Sequence, residues 1–207
     1  MTAFNAPYEI HVHGEVPVRD DVSLAQVEES LRPLWRYAGG NSFQTGAVSF
    51  HEEEPGLLFD AQRRVVQMCW TVQGDDDFRQ TLDDVCMGLN DVADQGAAIE
   101  ITFYDVEFDP DEDEPGAESR DDFFMLFVGP TPAAIMQVQR DLLVHDVMHL
   151  MERHFDPAEL GGVVQSIDEL FTERFDALVN SLELGKPPRG SGGASGHGGG
   201  RRPRHLH

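Results

Sequence analysis

The chain has little of what would assign a function outright. Among its 207 residues there is no Walker loop, no dinucleotide fingerprint, no nucleophile elbow and no paired CxxC. No catalytic residue is therefore assigned by motif, and no cofactor is expected. No apolar run approaches the roughly 18 residues needed to span a bilayer, so no membrane partner is expected. The opening MTAFNAPYEIHVHGE has neither a basic start nor an apolar stretch and does not read as a secretory signal. Cysteine occurs twice, at Cys69 and Cys86. Two thiols make no disulfide framework in a chain of this length, so both are read as reduced and the expected location is cytoplasmic.

Lysine is scarcer still, with one against 14 arginines, and the acids outnumber both. All 38 Asp and Glu lie at or before Glu183, where ten arginines leave the body at −28; Lys186, Arg189, Arg201, Arg202 and Arg204 put +5 on the C-terminal remainder. So negative a body repels nucleic-acid phosphates, which excludes direct DNA or RNA binding by the domain. The same field would steer a basic protein partner.

Composition divides the chain in two. Residues 1–184 read as one acidic domain, with 109–121 as an acidic loop. Residues 185–207 are rich in Gly, Pro and Arg and are expected to be a disordered basic tail, having almost nothing apolar to bury.

Periodicity supplies the fold expectation. Tyr8, Ile10 and Val12 alternate with Glu9, His11 and His13, as in a half-buried strand. Ser23 with Gln26 makes a capping box ahead of a helical stripe of Leu24, Val27, Leu31, Leu34 and Trp35, kinked at Pro33 and ended by Gly39-Gly40. Val48 and Phe50 are read as a second strand, Pro55-Gly56 as a turn, and Val66, Met68, Trp70 and Val72 as a third strand. Asp75, Asp76 and Asp77 suit a helix N-terminus. Phe78, Leu82, Val85, Leu89 and Val92 keep three-four spacing up to Gly96, and Ile99, Ile101 and Phe103 make a fourth strand. The order is β-α-β twice over residues 8–108. The expected class is α+β, a ferredoxin-like βαββαβ sandwich of two tandem βαβ units with a C-terminal β-α-α extension. In that extension (122–184), Phe123 to Val128 form a fifth strand, apolar on both faces and so expected to be covered on both. Thr131-Pro132 starts a helix to about Phe155. Asp156-Pro157 with Glu159 starts another, lined by Leu160, Val164, Ile167, Phe171, Leu178 and Leu182.

Strand alternation also names a candidate site. With Ile10, Val48, Trp70 and Ile101 facing the helices, the opposite face carries His11 and His13, with Ser49, His51, Cys69, Thr71, Glu100, Thr102 and Tyr104 around them. His-x-His on a strand is a workable chelating or proton-handling pair. Of this set, His11, His13, His51, Cys69, Thr71, Glu100 and Tyr104 are the candidate ligand- or partner-binding residues.

Two other clusters are read and set lower. His145 and His149 lie one helical turn apart, with Glu152 and Asp141 nearby, in zinc-site spacing. The metalloprotease pattern needs glutamate directly after the first histidine, and this chain has Asp146 there. His145-Asp146 resembles the pair of metal-dependent phosphohydrolases of the HD type, but those are all-helical and the first half here reads as strands. Asp109, Asp111 and Asp113 match the opening of an EF-hand loop, which then fails at Glu114 and Arg120. The functional expectation is a non-catalytic binding or regulatory protein. It would act as a homo-oligomer through the open sheet face or the helix pair, towards a basic protein partner. The alternative is a metal-dependent hydrolase-type enzyme using His145/His149 or His11/His13.

Overall fold

The computed structural model describes residues 7–106, 121–156 and 159–184. The tail from 185, the EF-hand-like residues and all but the last residue of the acidic loop lie outside them. The described chain is a mixed α+β structure of five strands and six helices. The strands are β1 (Tyr8–Pro17), β2 (Gly56–Asp60), β3 (Val65–Gly74), β4 (Ala97–Asp105) and β5 (Asp122–Val128). The helices are α1 (Leu24–Ser30), α2 (Arg32–Tyr37), α3 (Phe43–Gly46), α4 (Phe78–Val92), α5 (Pro132–Met151) and α6 (Gly161–Leu184). The sheet runs β2-β3-β1-β4-β5 with every neighbouring pair antiparallel, so β1 is central.

Two expectations about the sheet are corrected. It is not the four-stranded ferredoxin-like sheet predicted, because β5 adds to the free edge of β4 and makes five. Val48 and Phe50 do not form the second strand either; they stand 66% and 51% exposed. The apolar alternation there covers only two positions. Ser49 between them turns inward, its Oγ accepting from the Thr71 N–H at 2.8 Å. The strand that pairs with β3 comes later, as Gly-Leu-Leu-Phe-Asp, with Leu57 buried and Leu58 exposed.

The other elements follow their sequence signals. Ser23 and Gln26 form the capping box of α1. Pro33 divides the predicted helix at Leu31 into α1 and α2, and Gly39 ends α2 with φ +79°. Leu24 does not join the stripe and is exposed. The five predicted stripe residues of α4 are all buried, but the helix stops at Val92; Gly96 sits in the turn into β4 instead of closing α4. Ile10, Val12, Trp70, Ile99, Ile101 and Phe103 meet Val27, Leu31, Leu34, Phe78, Val85 and Leu89 in one core. Each such side chain removed from water contributes about 1.5–3 kcal/mol.

The extension behaves differently. β5 is an edge strand in which only Val128 is buried, and Phe123 is 55% exposed. The predicted cover is only partial among the described residues: Phe124 and Leu126 pack against the core, and Phe124 stacks on Phe103, while Phe123 is left open. Thr131 caps α5 through the Ala134 N–H, as expected, but the helix ends at Met151 and has no buried residue. Arg140 ties α5 to α6 by a 2.6 Å hydrogen bond from Nε to Asp168. Leu160, just ahead of α6, and Ile167 on it are the buried members of the predicted stripe.

Candidate functional site

The open face of the sheet is built by β1, β3 and β4 in register. His11 lies opposite Thr71 on one side and Thr102 on the other; His13 lies opposite Cys69 and Glu100, and Glu9 opposite Tyr104. Ile10 and Val12, alternating with them, are buried under the helices. The inward and outward assignment of β1 made from alternation therefore stands.

A segment running from Ala47 to Pro55 folds over one side of this face. The Phe50 N–H donates to the Thr71 carbonyl at 2.8 Å, and the Leu57 N–H to the Ala47 carbonyl at 2.9 Å. Gly56 closes the segment with φ +81°, and a Cβ there would lie 2.2 Å from the Ala47 oxygen. Only glycine meets both conditions. The result delivers Glu54 and His51 to the strand residues.

Glu54 is the hub. Its Oε1 accepts from the Thr71 hydroxyl at 3.0 Å and lies 3.3 Å from His11 Nδ1; its Oε2 accepts from Ser49 Oγ. His11 Nδ1 is also 2.9 Å from Thr71 Oγ1. Burial disfavours the charge of Glu54. The hydroxyls of Ser49 and Thr71 and the imidazoles of His11 and His51 outweigh it, and hold the carboxyl below the ordinary glutamate range. Proton bookkeeping then orients His11. Thr71 spends its one hydroxyl hydrogen on Glu54, so its oxygen accepts from His11, and the imidazole proton sits on Nδ1. A second pair, His51 Nε2 with Glu9 Oε2 at 3.3 Å, closes the same rim.

These groups line a hollow of about 200 Å³ bounded by Glu9, His11, His51, Glu54, Thr71 and Tyr104. Beside it a hollow of about 320 Å³ is bounded by His13, Gly14, Glu15, Gln67 and Cys69, among others. The His11 and His13 rings stack at 6.0 Å between centroids, 16° from parallel. One ligating atom each from His11, His13 and Cys69 lies within 4.8 Å of the others. Burial, and then the charge of Glu54, push the Cys69 thiol up, so it is no activated nucleophile.

Of the predicted site residues, the structure gathers His11, His51, Thr71 and Tyr104 around the first hollow and His13 and Cys69 around the second. Glu100 faces the same side at the β4 register position opposite His13 but lines neither. Sequence reasoning missed Glu54. It stands last in His51-Glu-Glu-Glu54, and no periodicity distinguishes it from Glu52 and Glu53.

The helical candidates look similar and are built differently. His145 and His149 stack at 6.4 Å, 4° from parallel, as their spacing predicts. Both are exposed, as is Glu152. They are not part of the one group of three metal-ligating side chains found among the described residues, which is His11, His13 and Cys69. Asp141 is engaged by Arg140 and Gln137. No helix is long and apolar enough to cross a membrane among the described residues.

A family model described as "Family of unknown function (DUF6806)" matches residues 8–172, which takes in the whole sheet, its open face and most of the helical pair. No curated protein and no solved structure matches the chain.

Proposed function

Because the chain belongs to DUF6806, a family of unknown function, its role has to be argued from the site, and we propose that it is a non-catalytic binding protein. The open sheet face is its recognition surface, a basic protein segment its partner, and self-association through α5 and α6 its working state. The observation that carries this is the rim of Glu9, His11, His51, Glu54, Thr71 and Tyr104. It is a concave, acidic surface whose polar groups hold one another by hydrogen bonds, so it presents charge and shape without an activated nucleophile. Carboxylates beside an aromatic rim suit a cationic side chain. The body charge of −28 would raise the association rate of such a partner. Four of the strands, β2-β3-β1-β4, with α1, α2 and α4, are read here as a ferredoxin-like unit to which β5 and the helix pair were added.

Self-association rests on a separate observation. α5 has no buried residue over its 20 positions, and Leu150 and Leu170 are each 65% exposed. A helix hairpin this apolar gains from covering that surface with a second copy. Light scattering on the full chain tests this directly. The expected result is a dimer or larger, with Leu150→Glu plus Leu170→Glu shifting it to monomer; a wild-type monomer at every concentration would refute it. For the recognition surface, the probe is a labelled arginine-rich peptide followed by anisotropy. Binding should weaken about tenfold in Glu9→Gln and steeply with salt. Equal binding of an acidic peptide would sink the reading.

A further inference from the structure

We infer that His11, His13 and Cys69 form a binding site for a borderline or soft transition-metal ion, of which Zn²⁺ is the best match. The site goes beyond the partner reading and stands independently of it, since metal content and peptide binding are measured separately.

The geometry is fixed by the sheet. His11 and His13 project from alternate positions of β1, and Cys69 projects from β3 at the register position opposite His13. Their ligating atoms fall within 4.8 Å of one another. Zinc bonds of about 2.0–2.3 Å in tetrahedral array place donor atoms roughly 3.3–3.8 Å apart. Closing the difference takes a shift of about 1 Å, within the range of rotations about the side-chain bonds of His13, which is exposed and free of the pairing that holds His11.

The hydrogen bonds supply the second argument. Thr71 and Glu54 take the Nδ1 proton of His11, which leaves Nε2 with the lone pair a metal needs. A carboxylate on the far nitrogen is how metal-bound imidazoles are oriented and made more basic. Glu54 thus acts as a positioning residue, and its own anchoring by Ser49 and Thr71 keeps that geometry from collapsing.

The donor set decides the metal class. Two imidazoles and a thiol favour zinc or copper(I) over magnesium and calcium, which take oxygen ligands. The metal–sulfur bond forms as the Cys69 S–H proton passes to water, with no change of oxidation state. Three protein ligands leave a fourth position to water or an incoming side chain. The hollow of about 320 Å³ beside His13 and Cys69 gives that position access. The arrangement is that of an open site, not a closed structural one.

The test uses the full chain with His197, His205 and His207 replaced by alanine in every arm, so that the tail cannot chelate. Zn²⁺ is titrated against a chromophoric chelator, and Co²⁺ serves as a spectroscopic probe. The expected result is one Zn²⁺ per chain and a thiolate-to-cobalt absorption band. Cys69→Ser should abolish the band, and His11→Ala and His13→Ala should each weaken zinc binding about 100-fold. Glu54→Gln, which removes no ligand, should weaken it about 10-fold, with circular dichroism confirming that each variant is folded. His145→Ala with His149→Ala should change nothing. Less than stoichiometric zinc, a cobalt spectrum indifferent to Cys69→Ser, or zinc binding lost with His145 and His149 would each overturn the assignment.

Discussion

The molecule carries two stacked histidine pairs whose geometry is nearly the same and whose surroundings are not. On β1, His11 and His13 stack at 6.0 Å; on α5, His145 and His149 stack at 6.4 Å. Strand alternation makes the first pair and helical repeat the second, and either spacing suits a metal. The difference lies in what meets them. His11 is held by a carboxylate and a hydroxyl that are themselves held, and Cys69 faces His13 across the strand. The α5 pair projects into solvent. Spacing creates candidates; the residues packed around them decide which are sites.

The strongest way to break the comparison is to remove the frame around the β1 pair. Gly56→Ala puts a Cβ 2.2 Å from the Ala47 oxygen at a residue with φ +81°. Either the backbone shifts or the Ala47–Leu57 hydrogen bond opens, and Glu54 leaves His11. A loss of about 2–4 kcal/mol in unfolding free energy is expected, read by urea denaturation. A change under about 1 kcal/mol would mean the segment adapts freely and does not position the site.

Glu54→Ala is the next largest. It leaves the inward-turned Ser49 hydroxyl and the buried Thr71 hydroxyl without their shared acceptor, at a cost of about 1–3 kcal/mol. Its more specific readout is nitrogen NMR of the imidazoles. In the wild type His11 carries its proton on Nδ1; in Glu54→Ala that preference should be lost, with His145 and His149 unchanged. A His11 spectrum indifferent to the substitution would break the contrast between the two pairs.

Much of this was legible in the sequence, and what was not has physical reasons. β1, β3, β4 and α4 bury one face against a single core, so hydrophobic residues must recur with the period of the element. That periodicity put His11, Cys69, Thr71 and Tyr104 on one face without any coordinates. The segment from Ala47 to Pro55 has no period to read. Its course depends on one glycine with positive φ and on backbone bonds to β3, and so Val48 and Phe50 were misread as a strand and Glu54 was missed. β5 misled for another reason: apolar residues on both faces predict cover, and sequence does not say whether the cover comes from the same chain or a second copy.

The smallest effect is the one whose sign separates the pairs most cleanly. At about 100° per residue, His145 and His149 lie on the side of α5 away from Leu143 and Leu150, so neither the core nor the proposed contact between copies uses them. Alanine is a better helix former than histidine by about 0.5 kcal/mol per residue at exposed positions. Replacing both should therefore leave stability unchanged or raise it by about 0.5–1 kcal/mol in thermal unfolding. The same double replacement at His11 and His13 should lower it, because Glu54 then keeps its charge and loses its imidazole partner on a half-shielded face. If the α5 replacement destabilises the protein as much as the β1 replacement, the exposed pair has a role that neither spacing nor surroundings reveal, and the rule drawn from the two pairs fails.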